Sequence, residues 1–283
     1  MSTTLDKPKP KANRQMPAFK KVAVTPAHDR AIKEARLGYM AVCPFLSSMY
    51  ISETEEVWTN DVPTAATDGR RIALNPAYLA KLKPAQRIFV LAHETDHILC
   101  RHPQRFAYYD ATKGPDGEKF DWELANKAAD YTINARLVAG NIGKIHPDWL
   151  FRADITGDML WEDVYKMLKR ERRKGSSGGT KDQPGRGEKP GDGQGDGDSP
   201  SGSGPGGGDI MAPRKDPASG REDVMSDMDH REAVARAVAA AKGQGKMPAG
   251  YQQLVDEILD HQVPWQEHVR LTMTGRIGTA RET

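Results

Sequence analysis

Between Gly175 and Asp209 the chain runs 35 residues without one apolar side chain, and 23 of them are Gly, Pro or Ser. Such a stretch has no apolar surface to offset the roughly 1–2 kcal/mol per residue that fixing a backbone costs, so a disordered linker is expected over 175–217. Its acidic residues Asp192, Asp196 and Asp198 lack the spacing and the closing Glu of a calcium loop, which leaves the linker reading in place. The chain of 283 residues then holds two parts able to fold, 26–174 and 218–283. Residues 1–25 carry Lys7, Lys9, Lys11, Arg14, Lys20 and Lys21 among Pro8, Pro10 and Pro17, which reads as a solvated, disordered basic arm rather than a nucleic-acid arm.

Charge and cysteine usage remove several classes. With 41 Lys+Arg against 39 Asp+Glu the net charge is +2, so no global field favours nucleic acid or a membrane surface. The longest apolar runs, such as 88–92, fall far short of the roughly 20 residues of a membrane span. The opening MSTTLDKPKPKANRQ has no apolar core of a secretion signal. Cys43 and Cys100 stand too far apart for a disulfide framework or a zinc finger, and a cytoplasmic, reducing location is expected.

Periodicity predicts helices over 26–46, 76–82, 84–101, 121–139 and 158–173, with β-like runs at 49–52 and 71–74, the latter entered through the turn pair Asp68-Gly69. Three more helices are expected at 231–242, 251–260 and 265–276. The class is α+β, helix-dominated with a small sheet.

The stretch Leu91-Ala92-His93-Glu94-Thr95-Asp96-His97 sits in the middle of the helix expected over 84–101. Residues four apart share one helix face, so His93 and His97 can offer two imidazole nitrogens to one metal ion. Zinc accepts neutral imidazole, and three protein ligands plus a water make a catalytic site. Glu94 would act as general base toward that water. Asp96 is unusual, since a charge between the Glu and the second His is uncommon in such helices.

The third ligand has several candidates. Cys100 shares the face, but lies about 7.5 Å along the axis from the midpoint of the two histidines, beyond a short side chain, and reads as packing. His102 would reach the metal only if the helix broke before it. Asp130 is favoured: Asn126, Asp130 and Asn134 recur at four-residue intervals beside small Ala125 and Ala129, and either Asn could hold the Asp130 carboxylate. His102, Arg105, Tyr131 and His146 remain candidates for stabilising an oxyanion. A substrate strand would pair near 71–74.

In order along the chain stand Thr67-Asp68-Gly69-Arg70, Asn75-Pro76, Leu91-Ala92-His93-Glu94 with His97 and His102, Arg105, Trp122, Ala128-Ala129-Asp130-Tyr131 with Ile133-Asn134, and Trp161-Glu162-Asp163-Val164-Tyr165. By these motifs the chain resembles the metallopeptidase domain that precedes a von Willebrand factor A-like domain in a family of bacterial and phage proteins, over about 27–170 and on to Val263-Pro264-Trp265. The resemblance implies a zincin-like domain over 26–174, one zinc ion held by His93 and His97, Glu94 as catalytic base, and a protein or peptide substrate. It also implies an A-like domain, expected here as a separate chain or beyond the sequence in hand, for no Asp-x-Ser-x-Ser motif occurs. A second class of function stands beside this one: a non-catalytic adaptor whose metal staples two helices, with Val255, Ile258, Leu259 and Trp265 offered to a partner.

Overall fold

The computed structural model of the chain describes residues 19–176, 208–215, 220 and 222–260. Helices dominate and one three-stranded sheet accompanies them, in keeping with the expected class. Helix α1 (Pro26–Val42) is capped by Thr25, whose Oγ1 accepts from the His28 N–H at 3.3 Å. It stops at Cys43 because Pro44 disfavours helical backbone in the residue before it, and Pro44 then opens α2 (Pro44–Glu53). The single helix expected over 26–46 is therefore two, and 49–52 belongs to α2 rather than to a strand. Phe45, Leu46, Met49 and Tyr50 are buried there at helical spacing.

Strands β1 (Glu55–Trp58), β2 (Ala65–Thr67) and β3 (Arg71–Leu74) lie in the order β1-β3-β2. β1 runs parallel to β3, with Glu55 opposite Arg71, and β2 antiparallel, with Thr67 opposite Ile72. The Asp68-Gly69 turn joins β2 to β3. Gly69 adopts φ +94°, and Asp68 Oδ1 accepts from the N–H groups of Arg70 and Arg71 at 3.1 and 2.8 Å. All four residues of β3 are buried because it is the central strand, so the expected substrate edge at 71–74 is not an edge.

Six more helices before residue 261 complete the described order after α3 (Pro76–Lys81): α4 (Pro84–Leu99), α5 (His102–Ala111), α6 (Trp122–Ala139), α7 (Trp161–Ser176), α8 (Asp227–Gly243) and α9 (Gln252–Asp260). Asn75 caps α3 by accepting from Ala77 and Tyr78 N–H at 3.0 and 3.2 Å, and Asp121 caps α6, each cap worth about 1 kcal/mol. The helix expected over 265–276 lies outside the described residues, as does most of the expected arm.

Two large apolar clusters hold most of these elements, beside a small one of Val62, Ala66 and Ala73. In the larger, Phe45 and Leu46 of α2 and Val90 and Leu91 of α4 pack with Val234 and Ala237 of α8, with Tyr251, and with Val255 of α9. The segment after residue 218 thus shares the core of the first part instead of standing apart from it. In the second large cluster Phe106, Phe120, Trp122, Trp161 and Tyr165 join α5, α6 and α7. The expected linker also ends sooner than 217. Residues 209–211 lie along β2, with Thr67 N–H donating to Asp209 O at 2.7 Å and Met211 N–H to Thr67 O at 2.9 Å. Among the described residues no helix is long and apolar enough to cross a membrane.

Candidate metal centre

Helix α4 packs on α1 and α2 and, on its other side, on α6, so every residue from Ile88 to Leu99 is buried. A helix in that position is normally apolar all round. Here His93, Glu94, Asp96 and His97 lie fully buried inside it. The alanines Ala125, Ala128 and Ala129 on α6 are buried as well, and α6 presents Asp130 from among them.

The donor atoms converge. Nε2 of His93 and Nε2 of His97 are 2.9 Å apart, and Asp130 Oδ1 is 3.4 and 3.2 Å from them. A fourth donor arrives from the far end of the expected linker: Asp209 Oδ2 lies 3.2 Å from His93 Nε2 and 4.0 Å from His97 Nε2. All four atoms fall within 4.8 Å of one another. Four donors about 2.1 Å from one ion stand about 3.4 Å apart at the corners of a tetrahedron. The observed spacings scatter around that value, so the donor set fits a small divalent cation such as zinc.

The unpaired oxygens fit it too. Both oxygens of Asp130 and both of Glu94 are buried without a hydrogen-bond partner among the described residues. Buried carboxylates are costly unless paired or bound to metal. Burial, reinforced by the Asp209 charge, pushes Glu94 well above the usual carboxylate range, and burial also raises Asp130. Burial opposes the His93 imidazolium, but Asp130 and Asp209 outweigh it and push the pKa well up. Burial and the neighbouring His93 push His97 down to about 3.

A surrounding set of groups aims the ligands. Asn134 Nδ2 donates to Leu150 O at 2.7 Å, which leaves its Oδ1 to accept from His93 Nδ1 at 2.8 Å. The Nδ1 proton of His93 is thereby held by Asn134, and Nε2 is turned toward the two carboxylates. Asn126 Nδ2 donates to Asp209 Oδ1 at 2.7 Å. The two asparagines on the α6 stripe therefore hold His93 and Asp209, not Asp130 as the sequence suggested.

His102 does turn toward the site, and for the reason its distance along the helix required. The helix breaks at Arg101, which takes the left-handed conformation (φ 55°, ψ 35°) though it is not glycine. His102 Nδ1 then lies 2.9 Å from His97 Nδ1 and supports that ring from behind, outside the four-donor group. Cys100 packs as expected, its Sγ 3.3 Å from Asp96 Oδ1, with burial and the Asp96 charge pushing the thiol up to about 12. Asp96 turns away from the metal-ligand positions: Oδ1 accepts from Arg136 Nη1 at 2.7 Å and Oδ2 from Tyr251 Oη at 2.6 Å.

The oxyanion candidates fare unevenly. Arg105 is engaged by Glu162 and lies 5.5 Å over the Trp161 ring. His146 accepts from the Asp148 N–H at 3.2 Å near the surface, and Tyr131 is half-buried against the aromatic cluster. The sequence reading missed Tyr78, whose hydroxyl is buried without a hydrogen-bond partner among the described residues. Burial, with the charges of Glu94 and Asp209, raises its pKa. Asp209 was missed as well. Its one signal is that it immediately precedes the first apolar pair, Ile210-Met211, after the polar stretch.

Compared with known protein families, residues 27–281 match the model of a family described as "Putative metallopeptidase domain". The match spans nearly the whole chain, and the chain belongs to that family. No curated protein and no solved structure matches it.

Proposed function

We propose that, as a member of this family, the chain is a zinc-dependent peptidase in which His93, His97 and Asp130 hold one zinc ion and Glu94 is the general base. The observation that carries the reading is the convergence of four donor atoms within 4.8 Å beside a buried carboxylate that nothing else engages. When bound, zinc would act as a Lewis acid and lower the pKa of a bound water to about 7. Glu94 follows His93 on α4, so its carboxylate is presented one position round the helix, where it takes the proton of the attacking water and returns it to the leaving amine. Burial suits that duty, since it raises the carboxylate pKa above its usual range and so strengthens it as a base. Asn134 and His102 keep the two imidazoles turned with Nε2 inward. Tyr78, a buried hydroxyl without a hydrogen-bond partner among the described residues, is our candidate to donate to a developing oxyanion. The zincin-like fold, a separate A-like partner protein and a cytoplasmic location belong to the same proposal. The last is supported by two free cysteines.

Asp209 favours a second reading, the adaptor with a structural metal, because a fourth protein donor would close the site. The test begins with metal content: one zinc per purified chain is expected. Wild type should hydrolyse members of a peptide library, and Glu94→Gln should keep the zinc while losing at least about a hundredfold in rate. Loss of zinc from a folded Glu94→Gln protein would sink the role given to Glu94. A wild type with no zinc would sink the whole reading.

A further inference from the structure

Residues 209–211 lie against the site as an extended peptide. β2 is a free edge of the three-stranded sheet and packs on α4. Along it, Ile210 pairs in parallel with Thr67, through the two backbone hydrogen bonds of Thr67 at 2.7 and 2.9 Å. From the opposite side α6 supplies two more: Ile210 N–H donates to Asn126 Oδ1 at 3.2 Å, and Trp122 Nε1 donates to Ile210 O at 3.0 Å. All four bonds are made to main-chain groups of 209–211, so they do not depend on which residues the peptide carries. This is the form of recognition that strand addition uses. The Ile210 side chain enters the aromatic cluster beside Trp122, and the Asp209 carboxylate points at His93 Nε2. Gly208 leads the chain in at φ +107°, a conformation glycine takes without strain.

We infer that the groove between the β2 edge and α6 is the peptide-binding site of this centre, suited to an extended peptide with an apolar side chain in the Ile210 position, and that residues 209–211 fill it as the chain's own inhibitor. Asp209 stands in the position a water would need, so the centre is closed while the strap is seated. The inference rests on the peptidase reading. It also reconciles a fourth donor with catalysis: the closed site is one state of a catalytic centre, and opening it releases four backbone contacts, the Asp209 carboxylate and the buried Ile210 side chain.

The strap is tested with the full chain loaded with cobalt in place of zinc and titrated with acetohydroxamate, following the visible absorption of the metal. Asp209→Asn removes the anionic donor at constant shape. Asn126→Ala leaves every donor to the metal in place and removes the two contacts that Asn126 makes to the strap, to Ile210 N–H and to the Asp209 carboxylate. Both variants should keep one cobalt per chain and bind acetohydroxamate at least tenfold more tightly than wild type. Thermal melting of each variant confirms that it is folded, and the two changes are unlike enough that one suffices if the other fails to fold. Metal retained with unchanged hydroxamate affinity would overturn the strap. So would metal lost from both variants as it is lost from Asp130→Ala, with no gain in hydroxamate binding, because Asp209 would then be a structural ligand. A wild type that takes up no cobalt or zinc would instead show that the peptidase reading underneath had failed.

Discussion

Asp96 and Asp130 are both fully buried aspartates at the contact of α4 with α6, yet Asp130 has no hydrogen-bond partner among the described residues and turns Oδ1 to the two imidazoles. Asp96 is satisfied by Arg136, Tyr251 and Cys100, so its negative charge inside the motif serves packing and leaves the ligand set alone. The difference sets the third prediction. A structural zinc site of four ligands is worth about 10–16 kcal/mol, of the order of 3 kcal/mol per ligand, so Asp130→Ala should weaken zinc binding by roughly a hundredfold or more. His102→Ala removes only the support behind His97 and should cost about tenfold. Competition with a chromogenic chelator measures both, and the opposite order would make His102 the ligand. His93, His97 and Asp130 were legible in the sequence because residues four apart on a helix must share a face, and small neighbours let that face be buried. Asp209 was not, because it lies 116 residues from His93 and reaches it through a strand pairing that leaves no local periodicity.

At the scale of elements, the long helices were readable from period and caps, whereas β1 and β2, at four and three residues, are too short for alternation to emerge. α5 went unread, and the residue that marks its start is Pro103. In the structure it occupies the first turn of a new helix, where a missing N–H costs nothing. Equally invisible was the close approach of the chain after α6 to the backbone of α4. Gly143 adopts φ +68°, and a Cβ there would stand 2.6 Å from Ala85 O and 2.7 Å from Phe89 N. Its neighbour Lys144 donates its N–H to that same Ala85 carbonyl at 2.9 Å. Both partners are helix backbone and cannot yield, so Gly143→Ala combines left-handed strain with overlap. A loss of about 2 kcal/mol or more is expected, roughly 5 °C in melting temperature for a chain of this size. The loop would also be levered off α4, which sets the spacing to α6, so zinc affinity should fall with stability. A melting temperature equal to wild type would show that the approach is looser than described.

For the molecule as a whole, the question is what ties the segment after the polar stretch to the helix that carries the histidines. α8 buries Ala233, Val234, Ala237 and Ala241 against the larger core, and at its N-terminal end His230 Nε2 meets Leu99 O at 3.0 Å across the end of α4. Arg101 grips the same junction through the carbonyls of Met225 and Ser226 and the Asp227 carboxylate. That anchorage is what holds Arg101 in its left-handed conformation and so turns His102 behind His97. Burial, aided by the charge of Arg101, lowers the His230 pKa to about 4, against 6.5 for an ordinary histidine. A lowered folded pKa means that the unfolded chain binds a proton the folded chain refuses. The stability is therefore complete above pH 6.5, falls as the pH drops toward 4, and loses no more below that. At pH 5 the two values correspond to about 2 kcal/mol lost from this one group. His230→Gln keeps an amide N–H for the Leu99 carbonyl but cannot titrate. Urea unfolding of wild type and His230→Gln at pH 7 and pH 5 isolates the term, since every other titrating group is common to both. The variant should lose about 2 kcal/mol less than wild type between the two pH values. Equal losses would mean that His230 is not the group through which acid loosens α8 from the end of α4.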